Sequence, residues 1–169
     1  MARMADGMVT IHIAARLTRA LPGLRGQPVP SEYRALGATS WDAIAGAYIW
    51  KSRQIGIAEQ VEIAGEVFDA EGAEHVIRHE VGHALYDLGR FSRSEGFLRA
   101  WQRGCILAEA LGFGDALSYF SHPRHGRSEV FAEGFALATT GTARVETDPM
   151  RRSFGAALGF VRAYARSLR

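Results

Sequence analysis

The sequence predicts an α+β fold, a small β-sheet followed by several helices. Three observations carry this. Two short β-prone runs, Ala47 to Trp50 and Gln54 to Ala58, flank the polar stretch Lys51-Ser52-Arg53, which is the pattern of a hairpin. From Ala70 onward the apolar residues recur at helical spacing in four separate segments. Strands first and helices afterwards argue α+β and not an alternating α/β fold. A chain of 169 residues, 47% of them apolar, is long enough for one domain with a sizeable core. Residues 1–169 are therefore expected to form a single domain.

Along the chain, Val9 to Ile13 alternates well enough for a short strand, or opens a helix running to Ala20. Leu21 to Pro30 holds Pro22, Gly23, Gly26, Pro28 and Pro30, and reads as an extended loop. Ser40-Trp41-Asp42-Ala43 resembles a helix N-cap or a turn. Val61 to Val67 reads as a further short strand or a loop. Ala70 to Asp87 is a helix, with Asp69, Glu71 and Glu74 at its positive end and Gly89 as its stop. Ser94 to Leu111 is a second helix with Phe97, Leu98, Trp101, Ile106 and Leu107 on its apolar side. Gly112 to Arg127 is loop-rich, and Ser128 to Thr139 is a third helix. The last, about Pro149 to Ser167, carries Phe154, Leu158, Val161 and Tyr164 near 3.6-residue spacing.

The most informative residues are His79-Glu80-Val81-Gly82-His83, an HExxH run inside the first long helix. Residues four apart on a helix share one face, one turn above the other. Two imidazoles so placed can give nitrogens to one Zn²⁺ at about 2.0–2.1 Å. Glu80, rotated by roughly 100° from His79, suits a general base holding the metal-bound water. A catalytic zinc takes three protein ligands and keeps one position open. Glu129 and Glu133, four apart in Ser128-Glu129-Val130-Phe131-Ala132-Glu133-Gly134-Phe135-Ala136-Leu137, share a helix face. One carboxylate can reach the metal while the other orients a ligand. Two carboxylates in so apolar a run need partners.

HEVGHALYD followed by EVFAEGFAL resembles the lethal factor-like zinc peptidases, which include the peptidase domain of anthrax lethal factor, the Pro-Pro endopeptidases and related domains of bacterial toxins. The resemblance covers roughly Trp41 to Thr140, leaving residues 1–40 and the helix at 149–167 as accessory. It implies a zincin-like fold and hydrolysis of peptide bonds by a water molecule activated on one Zn²⁺. It implies His79, His83 and Glu129 as metal ligands, Glu80 as the catalytic base and Glu133 as a supporting carboxylate. It also implies that Gln54, Ile55, Gly56, Ile57 and Ala58 form the strand bordering the cleft, which pairs with an extended substrate by β-augmentation. The family carries a Tyr seven residues before its Glu ligand, where this chain has His122. His122 could donate to a developing oxyanion, and Tyr119 or His125 could do so in its place.

Other readings of these residues separate on spacing. His75, His79 and His83 form an i, i+4, i+8 series whose ends are roughly 12 Å apart along a helix, so one ion cannot take all three. Asp87, four residues after His83, either orients a ligand imidazole or faces solvent. A metzincin pattern would need Gly and His where Tyr86 and Gly89 stand. A deformylase would need a Cys upstream of the helix, whereas the one cysteine, Cys105, lies downstream in an apolar run and reads as a buried small hydrophobe. Without the family's Tyr, the alternative to an enzyme is a non-catalytic zinc-binding or interaction domain on the same scaffold.

A single Cys excludes an intramolecular disulfide framework. The formal net charge of +2, with basic residues scattered in short runs, gives no nucleic-acid stripe. There is no apolar run of about 18 residues, so no membrane span is expected. Charged residues between Met1 and Gly23 break any apolar leader segment. The expected partner is thus a peptide or protein substrate. The expected location is cytoplasmic by default, with release by a specialised secretion route as the alternative.

Overall fold

The computed structural model describes residues 9–35, 37–70, 72–140 and 148–168. Glu71, expected in the first turn of the HExxH helix, and residues 1–8 of the N-terminal segment lie outside them. The architecture is mixed α+β, with small sheets and a majority of helix. The chain divides into two compact units, Met1–Ala84 and Leu85–Arg169.

In the first unit, β1 (Thr10–Ala14), β2 (Gly46–Ile49) and β3 (Gln54–Ala58) make a three-stranded sheet in the order β1-β3-β2. β2 and β3 form the expected antiparallel hairpin, with Gly46 opposite Ile57 and Ile49 opposite Gln54. β1 runs parallel to β3, Thr10 opposite Gln54 and Ala14 opposite Ala58. Thr10 to Ile13 of the expected stretch thus belong to a strand, and the short helices α1 (Leu17–Ala20) and α2 (Ser31–Ala35) are separate from it.

This order corrects one expectation. Gln54, Ile55, Gly56, Ile57 and Ala58 do not form an edge strand. Their backbone is paired with β1 on one side and β2 on the other, so no main-chain donors or acceptors remain for an added peptide strand. The edges of this sheet are β1 and β2.

The two faces of β3 explain its composition. Ile55 and Ile57, essentially inaccessible, point to one side, where Ala84, Val76, Ile77 and Val81 of the helix α3 (Ala73–Leu88) and Tyr48 of β2 pack on them. Gly56 and Ala58 point to the other, as strand alternation requires. There Ala58 and Ala47 join Leu17, Leu21, Leu24, Val29, Trp41 and Ile44 in a second cluster. A methyl group on Gly56 would lie 2.5 Å from Leu21 Cδ1, so only glycine lets α1 and its following turn approach this closely. Trp41–Ala43 is a 3₁₀ turn with Ser40 at its N-cap, tied down by Asp42, whose carboxylate accepts from Thr18 N at 2.9 Å and Thr18 Oγ1 at 3.0 Å.

Val61 to Val67 resolves into a two-stranded hairpin, β4 (Gln60–Ile63) with β5 (Glu66–Asp69). Its turn residues Ala64 and Gly65 both have positive φ, 53° and 85°, as a two-residue primed turn demands.

The second unit is helical. It contains the last turn of α3, then α4 (Glu95–Ala110), the short α5 (Ser118–Ser121), α6 (Gly126–Thr139) and α7 (Pro149–Ser167). Ser94 caps α4 by accepting from Phe97 N, and Asp148 caps α7 by accepting from Met150 N, with Pro149 at the first helical position. The core is aromatic. Phe131 meets Phe91, Phe97, Tyr86 and Tyr164 at ring-centroid distances of 4.6 to 6.1 Å. Phe154, Leu158 and Val161 of α7 are buried, as their spacing predicts.

On α4 the buried stripe is Phe97, Trp101, Gly104 and Ala108. Ile106, assigned to that stripe from its hydropathy, is 70% exposed. It lies on the face of the helix opposite the stripe, since two residues from Gly104 is about 200° of rotation. Cys105 is half-buried and not fully enclosed; burial pushes its thiol pKa up.

Candidate metal centre

Helix α3 holds the HExxH residues because Val76, Ile77, Val81 and Ala84 anchor its apolar side on Ile55 and Ile57. His79 and His83 project from a different side. Their rings sit edge to face, with centroids 4.8 Å apart, and the two Nε2 atoms are 3.1 Å apart. Two nitrogens at about 2.05 Å from a tetrahedral ion lie about 3.3 Å from each other. The two Nε2 atoms therefore already stand at the separation one zinc ion would impose.

Glu80 is buried, 7% exposed. Its neighbour across the fold of the first unit is Gly46 in β2. A methyl group on Gly46 would sit 2.6 Å from Val76 Cγ1, 3.0 Å from Glu80 Cγ and 3.2 Å from Glu80 Oε1. The missing side chain at position 46 is thus what makes room for the Glu80 carboxylate. Nothing in the local pattern around Gly46 announces this role.

On α6, Glu129 is 6% exposed, beside the fully buried Val130, Phe131 and Ala132. Glu133, one turn later, is half-buried. Among the described residues, two sets of side chains could hold a metal ion: His79, His83 and Glu129, and His75, His79 and Glu133. Within each set the ligand atoms lie within 4.8 Å of one another. Two imidazoles and a carboxylate are a donor set that suits zinc and leaves a fourth position open.

The remaining candidates belong to neither set. Tyr119, His122 and His125 form one stack in the second unit. The His122 and His125 rings are parallel within 10° at 4.1 Å, and Tyr119 lies 4.8 Å from His125. Arg124 N donates to His122 Nδ1 at 3.3 Å. A neutral His122 accepting there carries its proton on Nε2, which makes Nε2 a donor. His122 is exposed, and neither it nor His125 belongs to the two metal-binding sets. Asp87 is exposed on the last turn of α3 and is also in neither set.

Sequence reasoning passed over Tyr86 as well. In the second unit its ring packs edge to face on Phe131 at 5.5 Å and on Phe97 at 6.2 Å. Burial raises its phenol pKa, with the nearby Arg127 charge acting the other way. Tyr86 thereby anchors the helix three residues beyond His83. The sequence signal was an aromatic three residues after His83, which any amphipathic helix can show.

Comparison of the chain with protein-family models, with curated proteins and with solved structures finds no match.

Proposed function

We propose that this chain is a zinc-dependent endopeptidase of the lethal factor-like kind, with His79, His83 and Glu129 as the metal ligands and Glu80 as the general base. The observation that carries the reading is the 3.1 Å separation of the two Nε2 atoms, with a buried Glu129 carboxylate in the same donor set. Zn²⁺ held there would polarise a scissile carbonyl and bring the pKa of a coordinated water towards about 7.

The residues of the chain supply the rest. The Glu80 carboxylate, held in the space that Gly46 leaves, takes a proton from the attacking water and returns it to the leaving amine. The donor for the oxyanion is His122 Nε2–H or the Tyr119 hydroxyl. Glu133 and Asp87 support the ligands. An extended substrate would add to the outer edge of β2, because β3 is closed on both sides and β2 carries Gly46 beside Glu80. No helix among the described residues is long and apolar enough to cross a membrane.

Cleavage of a peptide library with and without chelator tests the proposal. Chelator-sensitive cleavage that returns on adding zinc supports it, and no cleavage by zinc-loaded protein refutes the peptidase. A second reading, a metal-binding interaction domain without catalysis, is favoured by one observation. Where the family has Tyr, this chain has an exposed His122 stacked on His125. Stoichiometric zinc without cleavage of any peptide is the outcome that reading expects.

A further inference from the structure

The hairpin of the first unit has an open edge. β5 (Glu66–Asp69) pairs with β4 on one side and, among the described residues, has no second neighbour in its two-stranded sheet. Opposite residues of an antiparallel pair alternate between those that exchange main-chain bonds and those that do not. Ala70 N donates to Glu59 O at 2.8 Å, so the pair 59–70 is of the bonded kind. Along the register, 61–68 and 63–66 are then bonded pairs, and 60–69 and 62–67 are not. The main-chain N–H and C=O groups of Val67 and Asp69 therefore point away from β4.

The side chains on this edge are unusual for an open strand. Lys, Pro or a bulge commonly guards such an edge. Residues 59–69 contain no Lys, Arg or Pro, and the register runs without a bulge from Gln60–Asp69 to Ile63–Glu66. Val67 is 52% exposed and Phe68 46%. Phe68 shares its face of the hairpin with Val61 and the exposed Ile63. Glu59, Glu62, Glu66 and Asp69 make the segment acidic. Arg16 stands 3.8 Å from Glu62, whereas Asp69 meets the neutral amide of Gln60 at 3.4 Å.

We propose that β5 is a docking edge for an extended basic segment of a partner protein, added as a third strand in the order basic–apolar–apolar–basic. β5 itself reads acid–apolar–apolar–acid. A segment that sets basic residues opposite Glu66 and Asp69 sets its two middle residues opposite Val67 and Phe68. Main-chain bonds to Val67 and Asp69 give affinity, and the cross-strand charges give selectivity. The same charges disfavour a second copy of this chain, because pairing β5 with itself crowds the carboxylates of both copies onto one short ribbon. Neither metal nor catalysis enters into this docking.

Fluorescence anisotropy on the full chain, with chelator present so that neither metal nor cleavage contributes, tests this. The probe is a short labelled peptide with Lys-Val-Val-Lys at its centre. Its affinity should exceed that of the Glu-Val-Val-Glu peptide at least about tenfold, and should fall by as much when both valines are N-methylated. Val67→Pro removes an outward N–H and no β4–β5 bond, and should lose the binding. Glu66→Lys with Asp69→Lys should reverse the order of the two peptides. Undiminished binding of the N-methylated peptide would mean charge attraction without strand addition, and would overturn the proposal. Equal affinity for the two charge forms, or no saturable binding of Lys-Val-Val-Lys, would do the same. So would a wild-type dimer in sedimentation that Val67→Pro dissociates, which would give the edge to a second copy. Should far-UV circular dichroism show a variant unfolded, the comparison of the three peptides on wild type decides.

Discussion

His79 Nε2 and His83 Nε2 face each other at 3.1 Å on one side of α3, while Glu80, between them in sequence, turns its carboxylate towards Gly46. The imidazoles and the carboxylate thus leave α3 in different directions, about 100° apart for His79 and Glu80. Changes on one side should be distinguishable from changes on the other.

Glu80→Gln keeps the shape of the side chain and removes its basicity. Zinc content should stay at the wild-type level, with turnover falling about 10²–10⁴-fold. Metal analysis and peptide cleavage on the same sample check this, and undiminished turnover removes Glu80 as the base.

The two glutamates of α6 should differ. Glu129→Ala takes away a buried carboxylate, the proposed ligand, whereas Glu133→Ala removes a half-buried one. Zinc affinity should drop more in the first variant. The reverse order, read by competition with a chromogenic chelator, would exchange their roles.

Gly46→Ala puts a methyl group where Val76 and Glu80 now lie. Overpacking of this kind costs about 1–3 kcal/mol, and here it also crowds the Glu80 side chain. The expectation is a lower melting temperature and a reduced kcat, with zinc affinity unchanged. A variant that matches wild type in both stability and kcat would show that the space at position 46 is not needed.

Phe131→Ala empties the centre of the aromatic cluster made with Tyr86, Phe91, Phe97 and Tyr164. For a fully buried Phe the loss is about 3–5 kcal/mol. Urea unfolding measures it; a loss below about 1 kcal/mol would mean that the cluster adds little to stability.

The Cys105 thiol has its pKa raised by burial, so at a given pH a smaller fraction is thiolate than in an exposed cysteine. Reaction with a thiol reagent should be slower than for a cysteine peptide, and should approach the peptide's rate in denaturant. Equal rates in the native protein would contradict the burial.

Some of this was open to reading in the chain. The HExxH pair, the Glu129/Glu133 step, the Lys51–Arg53 hairpin and the α7 stripe all depend on contacts between residues a few positions apart, and periodicity reports such contacts directly. The assignments that failed depend on distant partners. Ile106 has the hydropathy of a core residue but the wrong phase on α4. Gln54–Ala58 has the composition of a strand, yet its place in the sheet depends on β1, whose Thr10 pairs with Gln54 from the other end of the unit.

Alone, then, the order of residues determined which helix turns carry the imidazoles and carboxylates, because helix geometry fixes i, i+4 neighbours without any help from the rest of the chain. Only the folded structure decided that β3 is enclosed by two strands, that Gly56 and Gly46 are spaces for Leu21 and Glu80, and that His79 is common to two donor sets. Those facts are relations between segments brought together by burial of apolar surface, and no local pattern encodes which segments will meet.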